Sequence, residues 1–248
     1  MALIPSGRTL VFLFALLAAV VGLYALALKS SLFAIEKVQI KGATPALSRE
    51  INTAVEPFRG RSLVGLNKAR VERAILAIPE VRTAQVDRAF PNTLRVFVAR
   101  EHPVAVLRRG HDAWVIAASD KVVRPLERGR SQHLPRVWAP ASVTAVVGEP
   151  IANFGVRTAI MVLTALDSSK HSLHPTSVVS HDGDLTLTIG SDTELRFGNA
   201  SQAALKLAVA EKILPDLASP PSGSIAYLDV SVPDRPVGGT EQRSNQGR

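Results

Sequence analysis

The stretch VRTAQVDRAFPNTLRVFVAR, from Val81 to Arg100, decides the fold of the first half of this chain. Its two ends, Val81 to Ala89 and Leu94 to Arg100, have the composition of strands, and Phe90-Pro91-Asn92-Thr93 between them is typical of a turn. In the second strand apolar residues alternate with Arg95, Phe97 and Ala99, so one face of the strand is expected to pack on helices.

Two helices and one further strand are predicted ahead of this stretch. Apolar residues at helical spacing predict one helix from Ser48 to about Gly60 and a second from Asn67, a good N-cap, to Pro79. Before them, Phe33 to Lys41 reads as a strand closed by a glycine. The predicted order is therefore β-α-α-β-β in about 70 residues.

After Pro103 the pattern changes to short strands with few helices. The predicted strands are His111 to Ile116, Lys121 to Val123, Thr176 to Ser180, Leu185 to Ile189, Glu194 to Phe197 and Ser224 to Val232, and the predicted helices are Gly155 to Leu166 and Ala200 to Leu214. The fold class is α+β. From residue 234 to residue 248 the chain is polar without an apolar period, which predicts a disordered tail.

Near the N-terminus, Thr9 to Leu28 is a run of 20 uncharged residues between Arg8 and Lys29. Such a run predicts a transmembrane helix, with residues 1–8 as a cytoplasmic stub and the rest of the chain outside the cytoplasm. The alternative is a cleaved secretory signal, because Ala25-Leu26-Ala27 fits a small-x-small cleavage pattern.

Composition narrows the class of protein further. The chain has no cysteine, so disulfides and thiolate metal sites are excluded. Its net charge of +8 is concentrated early, since Phe33 to Gly110 holds 14 Lys and Arg against 7 Asp and Glu. Anionic membrane headgroups would attract this surplus, although a solvated basic face is the simpler interpretation. The absence of interleaved basic and aromatic residues argues against nucleic acid.

No catalytic pattern is present. The sequence lacks the Gly-x-Ser-x-Gly, GxGxxG and His-Glu-x-x-His motifs that support nucleophilic, nucleotide and zinc-hydrolase chemistry. The nearest histidines, His171, His174 and His181, fall in a loop and a turn and are better explained as solvated residues than as metal ligands. We expect no enzyme activity, no metal, no cofactor and no small-molecule substrate.

Local segments of the first half resemble a known domain. The segments are Phe33 to Val38 with Gly42, Gly60 to Leu63, Ile78 to Ala84, Val86 to Val96 and Arg100 to Ala105. In this order they resemble the POTRA domain, in particular that of the bacterial cell-division family FtsQ, also called DivIB. The second half resembles the β domain of the same family at Leu195 to Gly198, at Lys206, at Tyr227 to Pro233 and at Pro236. Its segment order is closest to actinobacterial members.

The resemblance implies a domain plan, a location and partners. The plan is a stub at 1–8, a transmembrane helix at 9–28, a POTRA domain at 33–102, an FtsQ-type β domain at 103–233 and a disordered tail at 234–248. The location is the cytoplasmic (inner) membrane at the division septum, as a single-pass type II protein. In this family the β domain binds FtsB, and through it FtsL, and the complex recruits and regulates the septal peptidoglycan synthase.

The last predicted strand is the candidate partner surface. An exposed edge strand offers free N–H and C=O groups to a partner strand. The predicted partner-binding residues are Ser224, Ile225, Ala226, Tyr227, Leu228, Asp229, Val230, Ser231 and Val232. Many family members have Arg and Tyr where this chain has Ser231 and Val232. The rival interpretations are a secreted or anchored binding protein and a POTRA-type outer-membrane assembly factor, which would need several POTRA repeats and a C-terminal barrel.

Overall fold

The computed structural model describes residues 7–29, 31–127, 133–168, 173–190, 193–217 and 224–242. The chain forms two compact units, Met1–Arg100 and Glu101–Arg248. Each unit has its own apolar core.

The N-terminal run forms helix α1, Gly7–Lys29, but the prediction of a transmembrane helix over Thr9 to Leu28 needs correction. Across the described residues, no helix combines the length and the apolar character that crossing a membrane requires.

The rest of the first unit has the element order β-α-α-β-β. Its elements are β1 Lys37–Lys41, α2 Pro45–Val55, α3 Lys68–Leu76, β2 Val81–Ala89 and β3 Thr93–Arg100. In the sheet, β3 lies in the centre, parallel to β1 and antiparallel to β2. Both helices begin at side-chain caps, because Thr44 accepts a hydrogen bond from the Leu47 N–H and Asn67 accepts one from the Arg70 N–H.

The core of this unit lies between the helices and one face of the sheet. Leu47, Ile51 and Val55 of α2 are fully buried together with Val71 and Ile75 of α3. Spacings of three and four residues place each set on one helical face. Alternate residues of β3 cover the same core, which is the packing that the alternation in the sequence predicts.

In its described residues the second unit forms one nine-stranded sheet and two α-helices. Its strands are β4 Pro103–Arg109, β5 Asp112–Ala117, β6 Val122–Pro125, β7 Arg136–Trp138, β8 Pro175–His181, β9 Asp184–Ile189, β10 Thr193–Gly198, β11 Ser224–Asp229 and β12 Val237–Gln242, and its helices are α4 Phe154–Ser168 and α5 Ala203–Ile213. The sheet order is β12-β11-β10-β9-β8-β7-β4-β5-β6. The two helices contact each other and share one apolar core with the sheet.

The C-terminal segment differs from the predicted disordered tail. Residues 237–242 form strand β12, which pairs antiparallel with β11 from Asp229↔Val237 to Ser224↔Gln242. A strand can form here without an apolar period because main-chain pairing with β11, not burial of side chains, holds an edge strand in place. Residues 243–248, also part of the predicted tail, lie outside the described residues.

Candidate functional site

The candidate site is the edge of the nine-stranded sheet that the last strands of the chain, β10, β11 and β12, form. Strand β11 holds Ser224, Ile225, Ala226, Tyr227, Leu228 and Asp229 and lies between β10, to which it is parallel, and β12, to which it is antiparallel. Both of its backbone edges are therefore paired. The free edge that the sequence suggested for Ser224 to Val232 lies one strand further out, on β12.

The side chains of β11 alternate as predicted. Ala226, Leu228 and Val230 are fully buried in the core, whereas Tyr227 and Asp229 are partly exposed on the opposite face. The side chains of Ser224 and Ile225 lie outside the described residues.

The residues after Asp229 leave the strand. The Val230 N–H still donates to the Arg196 carbonyl at 2.9 Å, and the Ser231 N–H then donates to the Asp229 carboxylate at 2.8 Å. This second bond closes a short turn that directs the chain towards β12. Ser231 and Val232 are exposed at this turn.

An arginine connects the last three strands on the exposed face. The Arg196 guanidinium of β10 lies 4.4 Å from the centre of the Tyr227 ring and 2.9 Å from the Glu241 carboxylate of β12. The hydrogen bond with Glu241 raises the pKa of the Arg196 guanidinium above its usual value, so this group remains charged. The arrangement holds β12 against β11 from the side-chain face as well as through the backbone.

Two glycines in β12 fit it against β11. A Cβ atom at Gly239 would lie 3.1 Å from the Tyr227 ring, and one at Gly238 would lie 3.0 Å from a methyl group of Leu217. Glycine therefore lets the last strand approach the bulky neighbours on either face. The same glycines remove the apolar alternation that would have revealed the strand in the sequence.

A buried lysine holds residues 197–199 at the end of β10. Lys206 of α5 is 1% exposed, and its ammonium group donates to the carbonyls of Phe197 at 3.0 Å and Asn199 at 2.9 Å. Burial lowers the pKa of Lys206 below its usual value, although the negative charges of Asp184 and Asp229 oppose this change. Such bonds compensate part of the cost of burying the charge.

The residues that Lys206 holds contact the turn after β11. Gly198 has a φ of +65°, and a Cβ atom there would lie 2.9 Å from the Cβ atom of Ser231. Lys206, residues 197–199 at the end of β10 and Ser231 therefore form a continuous packed path from helix α5 to the C-terminal strands.

Comparison with known proteins shows which proteins this chain is similar to. Residues 33–100 match the POTRA domain of FtsQ type. The cell division protein FtsQ of Geotalea daltonii is 25% identical over 221 residues, which cover 86% of this chain and 78% of that protein. The cell division protein FtsQ of Syntrophotalea carbinolica is 26% identical over 210 residues, covering 83% of this chain and 73% of that protein. The chain is therefore similar to FtsQ proteins over most of its length, and its residues 33–100 match the POTRA domain of FtsQ type.

These similarities confirm the resemblance to FtsQ seen in the sequence. A further FtsQ, from Shewanella oneidensis, is 30% identical over 112 residues, which cover 45% of this chain and 42% of that protein. The first two relatives extend the similarity well beyond the POTRA unit, because the matched lengths greatly exceed residues 33–100.

The histidines do not assemble into a metal centre in the described part of the chain, where no group of three or more His, Asp or Glu residues could hold an ion. His181 and Asp182 approach to 3.5 Å in a turn where both are 93% exposed. His171 lies outside the described residues. His102 contacts Asp167 at 2.6 Å, also on the surface.

Sequence reasoning missed Arg196 and Glu241 as parts of the candidate site. Their positions are 45 residues apart, and only the pairing of β10, β11 and β12 brings them together. The available sequence signal for this ion pair is Glu241 itself, an acidic residue in the segment that is predicted to be a disordered tail.

Proposed function

We propose that this chain is a non-enzymatic division-site scaffold that binds FtsB, and through it FtsL, along the C-terminal edge of the nine-stranded sheet. Through that complex it helps to recruit and regulate the septal peptidoglycan synthase. Similarity to FtsQ proteins supports a role in cell division. The resemblance further supports a place at the cytoplasmic membrane of the division septum, with both folded units outside the cytoplasm.

The observation that carries the proposal is the unpaired outer edge of β12. This strand is last in the sheet and pairs with β11 on one side, while no other described strand pairs with its second side. Val237, Gly238, Thr240 and Glu241 are exposed. An extended segment of a partner could therefore add as a tenth strand, with main-chain hydrogen bonds supplying affinity.

The predicted residues from Ser224 to Val232 keep a part in this proposal. Strand β11 fixes the position and register of β12, and Tyr227 and Asp229 present side chains on the face beside the free edge. Ser231 and Val232 lie exposed at the turn that leads into the edge strand. Alternate side chains beside a paired backbone are the usual source of specificity in strand addition.

The test uses proline at two neighbouring positions of β12. In an antiparallel edge strand successive N–H groups point alternately towards the neighbouring strand and away from it. Of Gly239→Pro and Thr240→Pro, one therefore removes a bond to β11 and the other removes a donor from the free edge. The measurement is capture of the full chain by immobilised FtsB, with folding of each variant checked by circular dichroism.

We expect the variant that keeps the wild-type fold to lose FtsB capture. Ser231→Pro is the matched control, because the Ser231 N–H bonds within a turn and not at the free edge. It should therefore reduce capture far less. If both β12 variants fold and capture FtsB like the wild type, the partner binds elsewhere and the proposal fails.

A further inference from the structure

An exposed apolar corner lies at one end of the POTRA sheet. Leu32 is 72% exposed and Phe90 is 57% exposed, and Phe33 is partly exposed beside them. The rings of Phe33 and Phe90 meet edge to face, with centres 5.8 Å apart and planes at 86°. We call Leu32, Phe33 and Phe90 the aromatic corner. Exposed apolar patches that are contiguous are a usual feature of interaction surfaces.

The backbone holds the aromatic corner in place. The Phe33 carbonyl accepts a 2.7 Å hydrogen bond from the Leu63 N–H. The Asn92 carbonyl, in the turn that carries Phe90, accepts bonds from the N–H groups of Glu36 at 3.0 Å and Lys37 at 3.2 Å. The two segments that present the rings are therefore joined to each other and to the core, so the corner is a preformed surface.

Cations surround the aromatic corner. Lys37 is exposed and lies four residues after Phe33 in the chain. Arg61 is also exposed, and its carbonyl accepts a 3.0 Å hydrogen bond from the Ile35 N–H, which joins its loop to the segment that carries Phe33. Neither cation has an acidic partner in the described part of the chain. The acid in the same segment, Glu36, accepts a hydrogen bond from the Asn92 side chain at 2.7 Å.

The net charge of the folded units lies in the POTRA unit alone. Residues 33–100 hold 12 Lys and Arg against 6 Asp and Glu, whereas residues 101–248 hold 15 of each. A surface that attracts this protein by its charge would therefore bring the POTRA unit towards it. The partner of the aromatic corner should accordingly be anionic.

We infer that the aromatic corner docks the POTRA unit onto an anionic membrane surface. Aromatic side chains favour the boundary between headgroups and acyl chains, and neighbouring Lys and Arg favour anionic headgroups. Helix α1 ends at Lys29, three residues before Leu32, and its described residues 11–22 are exposed and uncharged, so a second segment compatible with lipid precedes the corner in the chain. This surface lies on a different unit from the edge strand proposed to bind FtsB.

The experiment is hydrogen exchange of the full chain in lipid nanodiscs, made either of phosphatidylcholine alone or of phosphatidylcholine with phosphatidylglycerol. In the discs with phosphatidylglycerol, amides of residues 32–37, 88–90, 92 and 93 should exchange about threefold more slowly, or slower still, than in neutral discs. The β8–β9 turn of the neutral unit, at residues 181–184, serves as the internal reference and should not change.

Matched variants isolate the corner from the rest of the chain. Phe90→Ser should abolish the protection, whereas Phe154→Ser, at a phenylalanine that is 74% exposed on the neutral unit, should leave it unchanged. If Phe90→Ser perturbs folding, Leu32→Ser takes its place. Replacing both Lys37 and Arg61 by Gln should reduce the protection in anionic discs.

Three results would overturn the inference. They are equal exchange in neutral and anionic discs, protection that survives both Phe90→Ser and Leu32→Ser, and protection that appears only when FtsB is added. The last result would assign the corner to a protein partner. FtsB capture by the β12 edge is measured separately, so failure of either idea leaves the other testable.

Discussion

Replacing Gly198 by Ala should destabilise the second unit by about 2–5 kcal/mol, because two separate costs add at this position. The first cost is conformational, since the φ of +65° is unfavourable for a residue with a Cβ atom, by about 1–2 kcal/mol. The second is steric. The new Cβ atom would lie 2.9 Å from the Cβ and 3.3 Å from the Cα of Ser231, and such overpacking costs about 1–3 kcal/mol.

Gly190→Ala separates these two costs. Gly190 has nearly the same φ, +63°, but no heavy atom of the described residues lies within 4 Å of its ideal Cβ position. This variant should therefore show only the conformational cost of about 1–2 kcal/mol. The difference between the two variants measures how tightly residues 197–199 pack on the turn after β11.

The assay is urea unfolding followed by tryptophan fluorescence. Both tryptophans, Trp114 and Trp138, belong to the second unit, so the signal reports on the unit that contains both glycines. Equal losses for the two variants would refute the steric argument. Adding Ser231→Gly to Gly198→Ala removes the opposing Cβ atom and should recover the excess loss, and failure to do so would also count against the packing described here.

Three further predictions test other parts of the structure. Lys206→Met should cost about 1–3 kcal/mol by leaving two carbonyls without a donor. The pKa of Lys206 is lowered in the folded state, so between that pKa and the usual value near 10.4 the unfolded state binds more protons than the folded state. The free energy of unfolding of the wild type should therefore rise with pH in this window. Lys206→Met should remove that rise when unfolding is measured against pH. Glu241→Gln should cost under about 1 kcal/mol, because the Arg196 ion pair is exposed, and added salt should shrink the difference from wild type. Gly42→Ala should destabilise the POTRA unit by at least about 3 kcal/mol in thermal unfolding, because its Cβ would overlap the Val98 carbonyl, whereas Gly60→Ala, also at positive φ but with open space, should cost about 1–2 kcal/mol.

Much of the POTRA unit could be predicted from the sequence because its signals are local. The strand at Val81 to Ala89 and the N-cap at Asn67 agree with the structure. The predicted start of α2 at Ser48 was wrong by three residues, because the helix begins at Pro45 after the N-cap Thr44. A capping residue followed by proline is itself a local signal for a helix start. The predicted start at Ser48 lies too late in the chain because it rests on the apolar spacing from Ile51.

The second unit was harder because its strands are short and their pairing is distant. Strands β4 and β7 were not predicted, although Pro103–Arg109 is buried over most of its length. A continuously apolar strand in the middle of a sheet has no alternation to reveal it. Strand β7 has three residues, too few to show any period.

By itself the sequence determined the family resemblance, the order of the POTRA elements and the buried face of β11, because each depends on residues close together in the chain. Tertiary structure alone decided which strand is the free edge. That choice depends on whether Val237–Gln242 pairs with β11, and the pairing rests on backbone groups that every sequence possesses. The need for glycine in β12 follows from its contacts with Tyr227 and Leu217, which exist only in the folded structure. The candidate partner surface thus follows from contacts between distant segments, which no local pattern in the chain records.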